Sequence, residues 1–209
     1  MARRTKEDAC ATRSNLLDAA ELVFHEQGVA RASLNEIAQR AGATRGAVYW
    51  HFKDKLDIFY SMLDRVKLPL EQVAYGASLD GGSLEGAERV RHVIASVFSA
   101  LEQDERTRRV FEILLYKVEY VGELQSIQER NSLAMVEFGA KLEAALVHAQ
   151  TSQGVVAPVA VHEAALVLRC LFDGVIQAWL LSRRGFDLVG VGMRAVDVYL
   201  GGLGFRWQE

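Results

Sequence analysis

The chain has 209 residues, half of them hydrophobic, with two prolines and a net charge of −3. That composition is enough for one or two globular domains with a substantial core, and it excludes a disordered or collagen-like chain. The absence of long alternating apolar and polar runs points to an all-α protein.

The N-terminus A-R-R-T-K-E-D is polar and has no apolar leader, and no uninterrupted apolar stretch reaches membrane-spanning length. A cytoplasmic protein with no membrane partner is expected. Arg3, Arg4 and Lys6 begin an arm expected to be disordered. From about Asp8 to Gln27, Leu16, Leu17, Ala20, Val23 and Phe24 repeat with helical period, and Gly28 ends that helix.

Ser33 followed by Glu36 is a capping box, so a second helix starts at Leu34 and buries Ile37, Ala38 and Ala41 on one face. Gly42 stops it, because glycine takes the left-handed conformation without a Cβ penalty. Thr44 caps a third helix, from Arg45 to about Phe52, with Val48 and Phe52 inward. Two short helices joined by a glycine turn form a helix-turn-helix, over about residues 33–52, whose second helix enters the DNA major groove. Its outward face carries Thr44, Arg45, Tyr49 and His51, with Lys53 and Lys55 beyond. Gly46 and Ala47 leave room for close approach. Charge is distributed to match: residues 1–55 hold nine Lys/Arg against seven Asp/Glu, and the remainder is acidic.

Asp54 caps a fourth helix with Leu56, Ile58, Phe59, Met62, Leu63 and Val66 inward. Pro69 is a candidate break in it, or its end. A loop is expected at Gly76–Gly82. Ser83 then caps a helix to about Leu101, and Asp104 another to about Val121 that carries the basic cluster Arg106, Arg108 and Arg109. A long helix follows from about Glu123 to Gln150, with Leu133, Val136, Leu142 and Leu146 among its apolar positions. Pro158 suits the first turn of the next helix, which runs to about Arg184 and is stopped by Gly185. It is apolar on most of its circumference and must be covered on several sides. Cys170 is expected in its core. Asp187 caps a last helix, which makes about nine in all. The two C-terminal helices carry more apolar surface than one small body needs. That predicts a homodimer through them, with Trp179 at or near its core, and an inverted-repeat operator.

The stretch L-N-E-I-A-Q-R-A-G-A-T-R-G-A-V-Y-W-H-F-K-D-K closely resembles the signature of TetR-type transcriptional regulators. Its most particular matches are Ala41, Gly42, Gly46, Tyr49, His51, Phe52 and Lys55. The resemblance implies a DNA-binding domain at 1–54 and a ligand-binding and dimerisation domain at 55–209. It implies DNA contacts from Arg3, Arg4, Arg13, Ser33, Thr44, Arg45, Gly46, Ala47, Tyr49, Trp50, His51 and Lys55, on double-stranded operator DNA. The body is similar to the AcrR-like repressors of multidrug efflux, through V-F-x-x-L-x-x-D-x-R-T-R-R at Val97–Arg109, E-I-L at Glu112–Leu114, D-G at Asp173–Gly174 and W-L-L at Trp179–Leu181.

That likeness implies small lipophilic or aromatic effectors that release the protein from DNA. The implied lining is Val93, Val97, Phe111, Leu115, Met135, Phe138, Arg169, Phe172, Asp173 and Gln177. Asp173 would either attract a cationic ligand or pair with Arg169, four residues earlier. A DNA-binding protein without small-molecule induction is the alternative. No nucleophile elbow, zinc-protease motif or P-loop is present, so no enzyme, cofactor or metal is expected. His25, His92, His148 and His162 are scattered and read as surface or capping residues.

Overall fold

The computed structural model describes residues 2–76, 86–120 and 122–207. Among them are nine α-helices, one 3-10 turn at Gly122–Leu124 and no strand. The helices are α1 Ala2–Gln27, α2 Leu34–Arg40, α3 Arg45–His51, α4 Lys55–Gly76, α5 Gly86–Gln103, α6 Glu105–Tyr116, α7 Gln125–Gln153, α8 Val161–Leu181 and α9 Leu188–Gly202. The all-α expectation holds.

Several boundaries differ from those expected. Helix α1 starts at Ala2, so the expected disordered arm is helical; Arg, Lys and Glu are good helix formers, and no breaker precedes Gly28. Helix α4 continues through Pro69 to Gly76. Loop residues 77–82 and the expected cap Ser83 lie outside the described residues. Helix α8 stops at Leu181, three residues early. Arg183 and Arg184 take the left-handed turn, with φ of 54° and 64°. Their amides donate back to Leu180 and Trp179 carbonyls, a Schellman ending built on arginines where glycine is usual.

Contacts divide the chain into two compact units. The N-terminal unit comprises residues 1–68 and 105–128, and the C-terminal unit 69–104 and 129–209. The expected division at residue 54 follows the family resemblance, whereas these units are defined by packing.

In the N-terminal unit α1, α2, α3 and the start of α4 share a core. Leu16, Phe24, Ile37, Val48, Phe52 and Phe59 are all buried, and the Phe24 and Phe59 rings lie 6.0 Å apart.

In the C-terminal unit α5 packs on α9 and α9 on α8. Gly192 makes this approach possible, since a Cβ there would sit 2.4 Å from the Phe98 ring. Asp187 caps α9 by accepting the Gly190 amide at 2.7 Å, and Glu102 accepts the Leu188 amide. Arg91 of α5 makes a two-pronged pair with Asp197 of α9.

Helix α8 is long and apolar enough by composition to cross a membrane, at a mean hydropathy of 1.7, but only 39% of that window is buried. The buried face follows Ala165, Leu168, Phe172, Ile176 and Trp179. Cys170 falls on the opposite face and is exposed, contrary to expectation. Trp179 is buried inside its own chain, where its indole N–H donates to the Phe186 carbonyl at 2.9 Å. It is therefore a core residue rather than part of a dimer face. Outward apolar and small residues include Leu166, Val167, Gly174, Ala178 and Leu181 on α8, with Val191 and Val198 on α9. Leu133 and Val136 of α7 are outward too.

Candidate functional site

The helix-turn-helix is fixed at each end by its own side chains. Ser33 Oγ accepts the Glu36 amide at 3.2 Å, and Glu36 Oε2 accepts the Ser33 amide at 2.9 Å. The Ser33 hydroxyl also donates to that carboxylate, and these bonds hold the Glu36 carboxyl below its usual range. Ser33 is thus committed to the cap. Gly42 turns at φ 63°, which a side chain would resist. Thr44 Oγ1 accepts the Ala47 amide and starts α3. Val48 and Phe52 face the core.

The other face of α3 is open. Tyr49 is 50% and Trp50 72% exposed, beside exposed Thr44, Arg45 and Gly46 and half-buried Ala47. Such exposure is unusual for large aromatics on so short a helix and gives α3 a flat, partly cationic surface. The Arg45 guanidinium donates to the Tyr49 hydroxyl at 3.3 Å and lies 5.6 Å from its ring centroid, an i, i+4 contact that aligns both on this face. The His51 ring meets Trp50 edge-on at 4.4 Å. Burial, and then the charge of Arg13, lower the His51 pKa below its usual range.

Two expected contacts have local work as well. Arg13 donates to Ser61 Oγ at 2.9 Å and lies 4.9 Å from the centroid of the Phe52 ring, tying α1 to the end of α3 and to α4. Lys55 Nζ donates to the Ala30 carbonyl at 2.9 Å, which fixes the turn between α1 and α2. The Arg3 and Arg4 side chains lie outside the described residues.

The expected ligand residues divide between the units. Phe111, half-buried, and Leu115, exposed, are on α6 in the N-terminal unit. The other eight are in the C-terminal unit. Three aromatic rings meet there: Phe98 stacks on Phe172 at 5.4 Å and 18°, and Phe138 meets Phe172 at 5.5 Å and 48°. Phe98 is not among the lining residues that the resemblance implies, although its spacing from Ile94 and Leu101 marks it as inward. Val93 is buried, Val97 and Arg169 are half-buried, and Met135 and Gln177 are exposed. Arg169 Nη1 lies 3.8 Å from Asp173 Oδ2, one turn on. Burial raises the Asp173 pKa, and Arg169 only partly offsets it. The pair is long and half-buried, so Arg169 neutralises the Asp173 carboxylate only in part.

The model for bacterial regulatory proteins of the tetR family matches residues 16–62, and that for the C-terminal region of MAATS-type transcriptional repressors matches residues 86–205. The chain belongs to the TetR family. The HTH-type transcriptional regulator AcrR of Shigella flexneri is 35% identical over 190 residues, 90% of this chain and 87% of that one. NalD, the secondary repressor of the MexAB-OprM multidrug efflux pump in Pseudomonas aeruginosa, is 32% identical in a crystal structure with a TM-score of 0.79, covering 94% of this chain and 98% of that one. SmeT, repressor of the Stenotrophomonas maltophilia efflux pump SmeDEF, is 34% identical in its triclosan complex, with a TM-score of 0.79 over 91% and 90% of the two chains. The first model spans the capped α2 and α3, and the second spans the aromatic cluster and the open face of α8.

Proposed function

We propose that this TetR-family chain is a cytoplasmic, homodimeric repressor of a multidrug efflux operon. It binds an inverted-repeat operator through α3 and is released by flat lipophilic compounds. The observation that carries the DNA half is the open face of a capped α3, where Arg45, Tyr49 and Trp50 stand exposed above a buried Val48. Arg45 and Tyr49, with Thr44 and Gly46, take the base edges, and His51 and Lys55 take phosphates. Arg3, Arg4 and Arg13 extend the contact along α1. Support for the operon comes from AcrR-, NalD- and SmeT-like relatives that match nearly the whole chain.

The ligand half rests on the Phe98–Phe138–Phe172 cluster, with Val93, Val97 and Met135 beside it in the sequence of the same helices and Asp173, Arg169 and Gln177 as its polar set. Aromatic walls favour offset or edge-on stacking of flat rings. The SmeT complex with triclosan, a small chlorinated aromatic, supports that ligand class. Phe111 and Leu115, both apolar, are assigned to the ligand by resemblance. A ligand shifts the repressor only as far as its affinities for the bound and released forms differ.

Lys55 tests the DNA half. Lys55→Ala is expected to weaken binding to every operator variant alike and to lower the slope of log K against log salt by about one charge. A salt slope equal to wild type would leave Lys55 only its clamp on the Ala30 carbonyl.

A further inference from the structure

Two helix ends of the C-terminal unit turn in the same way. At the end of α7, Gly154 is left-handed at φ 63° and the Val155 amide donates to the Gln150 carbonyl at 3.1 Å. At the end of α9, Gly204 is left-handed at φ 93° and the Phe205 amide donates to the Leu200 carbonyl at 3.1 Å. Both are Schellman turns, and they bring the two exits together. A Cβ at Gly204 would sit 3.3 Å from Val155 Cγ1.

The residues after α9 are then held one by one. Phe205 is buried. The side-chain amide of Gln153, the last residue of α7, uses both ends on Arg206: Nε2 donates to its carbonyl at 2.7 Å, and Oε1 accepts its amide at 2.9 Å. The Arg91 guanidinium, itself held by Asp197, lies 4.7 Å from the centroid of the Trp207 ring. Residues 204–207 are thus a fixed wall.

That wall bounds an open cleft of about 470 Å³, lined by Glu88, Gln153, Val155, Gly204, Arg206 and Trp207. The volume suits a small molecule. All six residues belong to the C-terminal unit, and none is in the Phe98–Phe138–Phe172 cluster. Val155 and the Trp207 indole give the cleft an apolar surface. Glu88, in the first turn of α5, supplies a carboxylate, and Arg206 supplies an exposed guanidinium from the wall after α9. One charge of each sign, carried by different elements, favours a ligand that carries both.

We propose that this cleft binds a zwitterion with an apolar group, namely a free aromatic α-amino acid. Its ammonium group meets Glu88, its carboxylate meets Arg206, and its ring lies against Trp207 and Val155. The site is separate from the aromatic cluster and does not depend on it.

The test is calorimetric titration of the full-length protein with L-phenylalanine. Two analogues are titrated beside it: 2-phenylethylamine, which lacks the carboxylate, and 3-phenylpropionate, which lacks the ammonium group. L-Phenylalanine is expected to bind at least about fivefold more tightly than either. Glu88→Gln is expected to weaken L-phenylalanine by about fivefold or more without weakening 3-phenylpropionate. Arg206→Gln is expected to do the same without weakening 2-phenylethylamine. Trp207→Ala is expected to weaken all three. Both charge changes lie outside the buried core, and far-UV dichroism checks that the variants fold. Saturating triclosan is expected to leave L-phenylalanine binding unchanged, whether or not triclosan acts as an inducer. No binding up to the solubility limit overturns the proposal. So do analogues that bind as tightly as L-phenylalanine, charge variants that match wild type, or displacement by triclosan.

Discussion

Replacing Leu166 and Leu181 together with Arg is expected to yield a folded monomer whose operator affinity is at least about 100-fold lower. Leu181 is 69% and Val198 77% exposed in the single chain. With Leu166, Val167 and Ala178 they make an apolar face along α8 and α9 that a second copy would cover. Charges there meet water in the monomer and have no partner in a dimer, so they act on assembly and spare the core. A protein with one helix-turn-helix per chain gains its second half-site only through the dimer, and losing that link removes about 10²- to 10⁴-fold of avidity. Sedimentation gives the assembly state, and far-UV dichroism shows whether the fold is kept. A double variant that stays dimeric at micromolar concentration would move the interface elsewhere, with the exposed Leu133 and Val136 of α7 as the next candidates.

Gly192→Val is expected to lower stability by about 3 kcal/mol, the upper end for overpacking a well-filled core, which is roughly 6–12 °C in thermal midpoint for a chain of this size. A Cβ at that position falls 2.4 Å from Phe98 Cε2 and 2.9 Å from Cδ2. The ring has nowhere to swing, because Phe98 is fully buried and stacked on Phe172. Backbone movement between α5 and α9 must absorb the clash. The same change should disturb the aromatic cluster, so weaker ligand binding is expected in whatever fraction folds. Gly139→Ala on α7, where an added Cβ meets nothing within 4 Å, is the control and should be neutral or slightly stabilising.

Local signals are legible in the sequence, and long-range ones are not. Caps at Ser33, Thr44 and Asp187 depend on a side chain and an amide three residues on, a spacing that sequence displays directly. The inward set Ile37, Val48 and Phe52 follows from short amphipathic helices with one possible core face. Helix α8 defeats the same logic. It is apolar nearly all round, so composition does not say whether Cys170 or Phe172 faces the core, or whether Trp179 serves its own chain or a partner. The spacing of Leu168, Phe172, Ile176 and Trp179 decides it once neighbouring helices are placed. Its end misled for another reason: Gly185 marks a stop, but the left-handed turn falls on Arg183 and Arg184.

Within the site, Arg45 and Tyr49 are legible as outward residues of α3, whereas the exposure of Trp50, the Ala30 partner of Lys55 and the Ser61 partner of Arg13 are not. The polar contacts of Asp18, Glu21 and His25 on α1 with Arg106, Arg109 and Glu112 on α6 join residues more than 85 positions apart. Nothing in the basic run Arg106–Arg109 distinguishes it from a solvated face, and His25 looks like a surface histidine until Glu112 is placed beside it.

The most direct test of the account is the operator affinity of the wild-type dimer with and without triclosan, on a duplex selected from a random pool. Affinity is expected to be strong and salt-dependent without the compound and to fall by about tenfold or more when it saturates the protein. A selected operator that keeps its full affinity with triclosan bound to the protein would contradict ligand-controlled repression.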